Sequence, residues 1–214
     1  MGKLLYLLSA RFELVIPPEQ GCCGLPAISA GLPELAVRAA ASSLRAFKQA
    51  GVEMVVTICG SCAYMFRCHL PRIMDNAVFR DLAAGVKEVT ELLAEESGKF
   101  RDIKAAKPDM AVEVHHPCHM KIGLDAHWQT MAVMRKAGVP LNSEAGIDSC
   151  CGGGGVFSVK KPELSGRVFA SAHENLEASG AAVLATTCNG CFLQWALRSA
   201  KTTSIVHPIE LMAW

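Results

Sequence analysis

No apolar run in these 214 residues approaches the roughly eighteen that a membrane-crossing helix needs. An excess of either charge is missing too. Lys and Arg number 21 against 20 Asp and Glu, which leaves no electrostatic footprint for nucleic acid or for an anionic membrane. Nucleotide signatures are absent: the glycine run Gly152–Gly155 lacks the Lys-Ser/Thr of a phosphate loop, follows cysteines rather than a clean strand, and is accompanied by no flavin motif. A secretory leader is only faintly imitated by "MGKLLYLLSARFELV", whose apolar stretch is short and is broken by Arg11 and Glu13. We read that segment as a core helix leading into a strand, and the chain as cytoplasmic.

What is present is cysteine. Eight of the ten fall into four tight pairs: Cys22-Cys23, Cys59-x-x-Cys62, Cys150-Cys151 and Cys188-x-x-Cys191. Cys118 stands apart before the third pair, and Cys68 reads as a plain buried thiol. In a cytosolic chain such pairs point to metal binding or redox chemistry more than to structural bridges.

The pairs belong to a repeat. "GCCGLPAISAGLPELAVRAAASSLRAFKQAGVEMVVTICGSCAYMF" aligns with "SCCGGGGVFSVKKPELSGRVFASAHENLEASGAAVLATTCNGCFLQW", offset by 128 residues at the first pair and 129 after it. Each half closes alike, "VKEVTELL" against "VHPIELM". The boundaries expected for the two units are 1–105 and 106–214. In the second, "MAVEVHH" and "AAVLATT" read as strands, with "WQTMAVMRKAG" and "PELSGRVFASAHENLEASG" as helices started by Pro162 and ended by Gly138 and Gly180. Alternating strands and helices predict an α/β fold of two pseudo-repeated Rossmann-like units, each a short parallel sheet flanked by helices. Loops at the carboxyl ends of such strands carry function, and Cys118 and Cys188-x-x-Cys191 sit there. Position 118 less the offset falls before Met1. The first unit is therefore expected to lack its opening strand and that strand's cysteine, through a truncated start or completion by another chain.

Adjacent Cys150 and Cys151 cannot readily bond to each other, since consecutive Cα atoms lie about 3.8 Å apart and disulfides span more. They can offer thiolates to one polynuclear centre. With Cys118, Cys188 and Cys191 the second unit supplies five thiolates, too many for one tetrahedral zinc ion. An iron–sulfur cluster can use them. The glycines after Cys151 let backbone N–H groups approach sulfur. His115, His116 and His119 in "HHPCH" read as loop-orienting or sulfur-bonding residues rather than ligands. His69, His127, His173 and His207 read as structural, and Met131 and Met134 as core.

The pattern Cys118-x31-Cys150-Cys151-Gly152-x35-Cys188-x-x-Cys191 resembles the CCG, or cysteine-rich, domain. That domain occurs twice in one of the subunits of heterodisulfide reductase and also in the iron–sulfur subunits of glycolate, lactate and anaerobic glycerol-3-phosphate dehydrogenases. "HHPCHMKIG", "DSCCGGGGVFSVKKPELS" and "LEASGAAVLATTCNGC" are most similar to the glycolate and lactate branch. The resemblance implies a [4Fe–4S] cluster, conventional or non-cubane, on Cys118, Cys150, Cys151, Cys188 and Cys191. It leaves Cys22, Cys23, Cys59 and Cys62 with a [4Fe–4S] cluster, a zinc ion or nothing. It further implies an electron-transfer subunit served by a flavoprotein 2-hydroxy-acid dehydrogenase; the absent amino-terminal ferredoxin module implies either a separate ferredoxin-type subunit or a chain that is a fragment. Through such partners the chain would reach the inner membrane face. Two rivals stand beside this reading: a heterodisulfide reductase-type subunit cleaving a disulfide at the cluster, and a zinc-binding scaffold or assembly protein.

Overall fold

Two helices open with the same Pro-Glu-Leu and bury the same positions. In α3 (Pro33–Gln49) Ala36, Ala40, Ser43 and Phe47 face inward, and in α10 (Pro162–Ser179) Ser165, Phe169, Ala172 and Leu176 do so, each pair 129 residues apart. The spacing of three and four residues gives each helix one buried face, and that face covers a short parallel sheet.

The computed structural model describes residues 2–74, 77–100, 103–106, 111–199 and 202–213. In chain order the helices are α1 (Gly2–Ser9), α2 (Leu25–Ser29), α3, α4 (Gly60–Tyr64), α5 (Leu70–Ile73), α6 (Ala77–Ala84), α7 (Val89–Glu95), α8 (His127–Lys136), α9 (Phe157–Lys160), α10 and α11 (Asn189–Arg198). The strands are β1 (Val55–Thr57), β2 (Val86–Glu88), β3 (Lys104–Ala105), β4 (Val112–His115), β5 (Val183–Thr186), β6 (Ser204–Val206) and β7 (Met212–Ala213). One parallel sheet pairs β1 with β2, and the other runs β4-β5-β6. The expected α/β architecture of short parallel sheets flanked by helices is therefore what forms. An antiparallel pair of β3 with β7, which the sequence reading did not anticipate, ties Lys104–Ala105 to the carboxyl end.

β1 and β5 occupy equivalent places, as do β2 and β6. β4 has no counterpart beside β1 among the described residues. This corrects the strand expected after α1. In the second unit the matching stretch bridges β4 at Leu141 and Ile147. Residues 12–16 have no such neighbour, form no strand, and leave Leu14, Val15 and Ile16 exposed. A strand exists only through its ladder partner.

The largest apolar cluster draws on both halves. Leu4, Leu7 and Leu8 of α1 and Leu92 and Leu93 of α7 pack with Val112 and Val114 of β4, Met131 and Met134 of α8, and Met212. Each fully buried aliphatic side chain there contributes about 1.5–3 kcal/mol of transfer free energy. The ends of the two units also match in detail. Glu88 and Glu91 form a capping box at α7, and His207 and Glu210 form one at the 3₁₀ turn Pro208–Leu211. His207 Nε2 faces Glu88 Oε1 at 3.3 Å, so the two caps meet.

Candidate metal centre

Each Cys-x-x-Cys loop is delivered by a strand and continued by a helix. β5 ends at Thr186, Cys188 takes an extended conformation (φ −135°, ψ 122°), and α11 begins at Asn189 with Cys191 in its first turn. β1, Cys59 (φ −138°, ψ 109°) and α4 repeat the arrangement and place Cys62 likewise. In α11 the thiols lie at the amino end of a ten-residue helix, where free N–H groups and the dipole favour thiolate. Cys118 follows β4, and Cys150-Cys151 follow the bridge at Ile147.

The glycine after each cysteine pair is required twice over. Gly24 and Gly152 are left-handed (φ +90° and +72°), and a Cβ on either would sit 2.5 Å from a backbone oxygen, of Ala36 in α3 or Ser165 in α10. Their N–H groups donate to Cys22 Sγ at 3.4 Å and Cys150 Sγ at 3.3 Å. The later glycines do something else. Gly155 packs on Ser29 of the first unit, whose hydroxyl accepts from Val156 N at 3.2 Å, so part of the run serves contact between units.

All ten cysteines are free thiols. The nine in the motif form two nests. In the second unit Cys118 interacts with Cys150, and Cys191 with both Cys151 and Cys188. In the first unit Cys23 interacts with Cys22 and Cys62, and Cys62 with Cys59. Thiols this close share protons, so partners shift in opposite directions. The Cys118 contact pulls Cys150 down to about 6, while the same contact pushes Cys118 up. Cys191 pulls Cys151 and Cys188 down and is itself pushed up by both. Cys62 is pushed up by Cys23 and Cys59, and Cys23 is lowered by Cys62. Cys23, Cys59, Cys151 and Cys188 are buried, whereas Cys22, Cys118 and Cys150 face solvent. Cys68 stands outside both nests, half-buried rather than buried, with Sγ 3.7 Å from the Gly123 carbonyl.

The nests touch. Interaction with Cys188 pushes Cys59 up. Ser61 Oγ lies 2.9 Å from Cys188 Sγ and 2.7 Å from His119 Nδ1. Asn189 N donates to Cys59 Sγ at 3.4 Å, and Gly60 N to Thr187 O at 2.7 Å. Sequence reasoning passed over Ser61 and Asn189. Their position inside the two Cys-x-x-Cys loops was the available signal.

The three histidines of "HHPCH" separate. His116 Nε2 faces the Ala145 carbonyl at 2.9 Å, and His119 stacks on Tyr64 with ring centroids 4.5 Å apart. His115 is 1% exposed, and a ring nitrogen of it lies with Cys151 Sγ and Cys191 Sγ, all three within 4.8 Å of one another. Burial pushes its pKa down to about 4, so the ring is neutral. An apolar cavity of about 260 Å³ between α7 and α8, lined by Leu93, Phe100, Trp128 and Val133 among others, includes none of the cysteines.

Comparison with known proteins agrees with this geometry. The cysteine-rich domain model (CCG) matches residues 3–67 and 112–196. The chain is 31% identical to Lactate utilization protein A of Exiguobacterium sp. (strain ATCC BAA-1283 / AT1b) over 206 residues, which is 94% of this chain and 82% of that protein. It is 30% identical to Lactate utilization protein A of Lysinibacillus sphaericus (strain C3-41) over 209 residues, covering 94% and 90%. It is also 30% identical to Lactate utilization protein A 2 of Bacillus cereus (strain 03BB102) over 212 residues, covering 94% and 85%.

Proposed function

The chain belongs to the cysteine-rich (CCG) domain family, and we propose that it is the iron–sulfur electron-transfer subunit of a complex oxidising a 2-hydroxy acid of the lactate or glycolate type. The observation that carries this is the second nest: Cys118, Cys150, Cys151, Cys188 and Cys191 are free thiols that interact in neighbouring pairs, several held toward thiolate. Five such donors fit a polynuclear centre and exceed what one tetrahedral ion takes. The relatives' names supply the substrate class.

A [4Fe–4S] cluster, conventional or non-cubane, would supply one-electron acceptance and release when bound. The chain's own residues do the rest. The five cysteines would hold the centre, and of these Cys118 and Cys150 are exposed while Cys151 and Cys188 are buried. Ser61 and the N–H groups of Gly152 and Asn189 direct hydrogen-bond donors or dipoles at sulfur, which tunes potential. No residue is assigned as acid or base. Cys22, Cys23, Cys59 and Cys62 would hold a second centre, a [4Fe–4S] cluster or a zinc ion. The units divide at 105/106. The partners are a flavoprotein dehydrogenase subunit and a ferredoxin-type iron–sulfur subunit, met in the cytoplasm and at the inner membrane face. Among the described residues no helix is long and apolar enough to cross a membrane.

The test is anaerobic purification with assay of iron, acid-labile sulfide and EPR. Iron with sulfide, and a signal altered in Cys151→Ser and Cys191→Ser, supports the reading. Zinc without iron or sulfide refutes it.

A further inference from the structure

Of the three histidines in "HHPCH", two have ordinary partners and one does not. His116 reaches a backbone carbonyl and His119 a serine hydroxyl. His115 Nδ1 lies 3.1 Å from Thr186 Oγ1, but its Nε2 is buried with no hydrogen-bond partner. A buried polar nitrogen left so costs about 1–3 kcal/mol, and native interiors rarely tolerate it without a reason.

Two neighbours flank the ring. His115 pairs with Thr186 in the β4–β5 register, so the threonine hydroxyl is fixed opposite Nδ1. Trp195, fully buried, meets the ring edge-on at 5.5 Å and 68°. In the tautomer whose Nδ1–H donates to Thr186 Oγ1, Nε2 presents a lone pair. A ring nitrogen oriented by a hydrogen bond from its other nitrogen is the usual condition of a metal-ligating histidine. One ring nitrogen lies within 4.8 Å of the sulfurs of Cys151 and Cys191, and among the described residues this is the one group of three ligating side chains so closely set.

The geometry points to His115 as a nitrogen ligand that, with Cys151 and Cys191, gives the second-unit centre a mixed nitrogen–sulfur locus on its buried side. The inference deepens the reading above and rests on it for the identity of the metal. It makes the two centres chemically unequal. Among the described residues the first nest has no histidine in a comparable cluster.

The experiment uses the full chain in two forms, reconstituted anaerobically with iron and sulfide, and loaded with Co(II) alone. In the first, pulsed EPR with ¹⁵N-histidine should show the large coupling of a coordinated imidazole nitrogen. That coupling should vanish in His115→Gln and persist in His116→Gln and His119→Gln. In the second, a hyperfine-shifted exchangeable ring N–H proton should appear, and His115→Gln should weaken Co(II) binding by roughly tenfold or more. If His115→Gln does not fold, persistence of the coupling in both other variants and in His69→Gln, His127→Gln, His173→Gln and His207→Gln assigns it to His115. Loss of the coupling in any of these would instead overturn the assignment. A cluster without that coupling, or with one that survives in His115→Gln, overturns the ligand and leaves the electron-transfer reading standing. Co(II) bound with the imidazole signature, and no cluster under any condition, keeps the ligand and sinks that reading. Co(II) bound without the signature, or no metal uptake at all, overturns the ligand.

Discussion

Ser61, in the first unit's Cys-x-x-Cys loop, sets its hydroxyl 2.9 Å from the sulfur of Cys188 in the second. The contact is reciprocated, because Asn189 of the second loop donates its N–H to Cys59 of the first at 3.4 Å. Each unit thus supplies a polar group to the other's leading cysteine, at the carboxyl ends of equivalent strands. Charge placed on one nest is felt by the other through buried sulfur rather than through water, where the effective dielectric is low.

Removal of the Ser61 hydroxyl should change the potential of the second-unit centre without emptying it. The hydroxyl also faces His119 Nδ1 at 2.7 Å, which accepts its proton or donates to its oxygen according to tautomer. A hydrogen bond to thiolate favours the more negative, reduced state. A loss of about 1 kcal/mol of such preference corresponds to about 40 mV for one electron. Ser61→Ala is expected to lower the midpoint by that order in an EPR-monitored redox titration, with iron content unchanged. An unshifted midpoint would show that the hydroxyl does not act on the centre.

Gly152→Ala should cost far more stability than Gly180→Ala, although both glycines are left-handed. At Gly180 (φ +66°) a Cβ meets nothing within 4 Å, so only backbone strain of about 1 kcal/mol is added. At Gly152 the Cβ would lie 2.5 Å from the Ser165 carbonyl oxygen, backbone that cannot swing aside without moving α10. A loss of about 3 kcal/mol or more is expected from urea unfolding of Gly152→Ala, and Gly24→Ala should follow it through Ala36. Equal losses at Gly152 and Gly180 would contradict the close approach.

The repeat was legible in the sequence because the cysteine pairs pin the alignment, and the buried positions of α3 and α10 then fall 129 residues apart. That Cys118 lies just past a strand end, as Cys188 and Cys191 do, was legible from the sequence alone. What local pattern cannot carry is partnership across the fold. "FELV" has the composition of a strand, yet without a neighbour it forms none. The pair β3–β7 is two residues long on each side, too short for periodicity to register. The role of His115 depends on Thr186, which sits 71 residues away and meets it only through sheet register.

Arg67→Ala should destabilise the chain through Glu91. The Glu91 carboxylate is 5% exposed, accepts Glu88 N at 2.9 Å in the α7 capping box, and meets Arg67 Nη1 at 2.7 Å. Deleting the cation leaves a charge with little access to water. Because Arg67 is itself 29% exposed, the expected cost is about 2 kcal/mol, below the range for fully buried pairs. For a chain of this length that lowers the melting temperature by about 4–8 °C. Arg67→Ala combined with Glu91→Gln should recover part of the loss, and a strictly additive pair would rule the coupling out.

Cysteine variants should divide the metal between the nests. Cys191 touches both Cys151 and Cys188, and Cys62 holds the corresponding place between Cys23 and Cys59. Cys191→Ser is therefore expected to remove the second unit's iron and leave whatever Cys62→Ser removes, so that the two losses add to the wild-type content. Cys68→Ser, outside both nests, should change neither content nor spectrum. Cys59→Ser is the informative intermediate. Its sulfur interacts with Cys62 in its own nest and Cys188 in the other, so its loss should empty the first site and perturb the spectrum of the second while leaving its iron in place. Chelation of the wild type should lower its melting temperature more than it lowers that of Cys191→Ser, since metal bound only to the folded chain adds its binding free energy to stability. Iron content in Cys191→Ser equal to that of the wild type would remove the second nest as the seat of the centre.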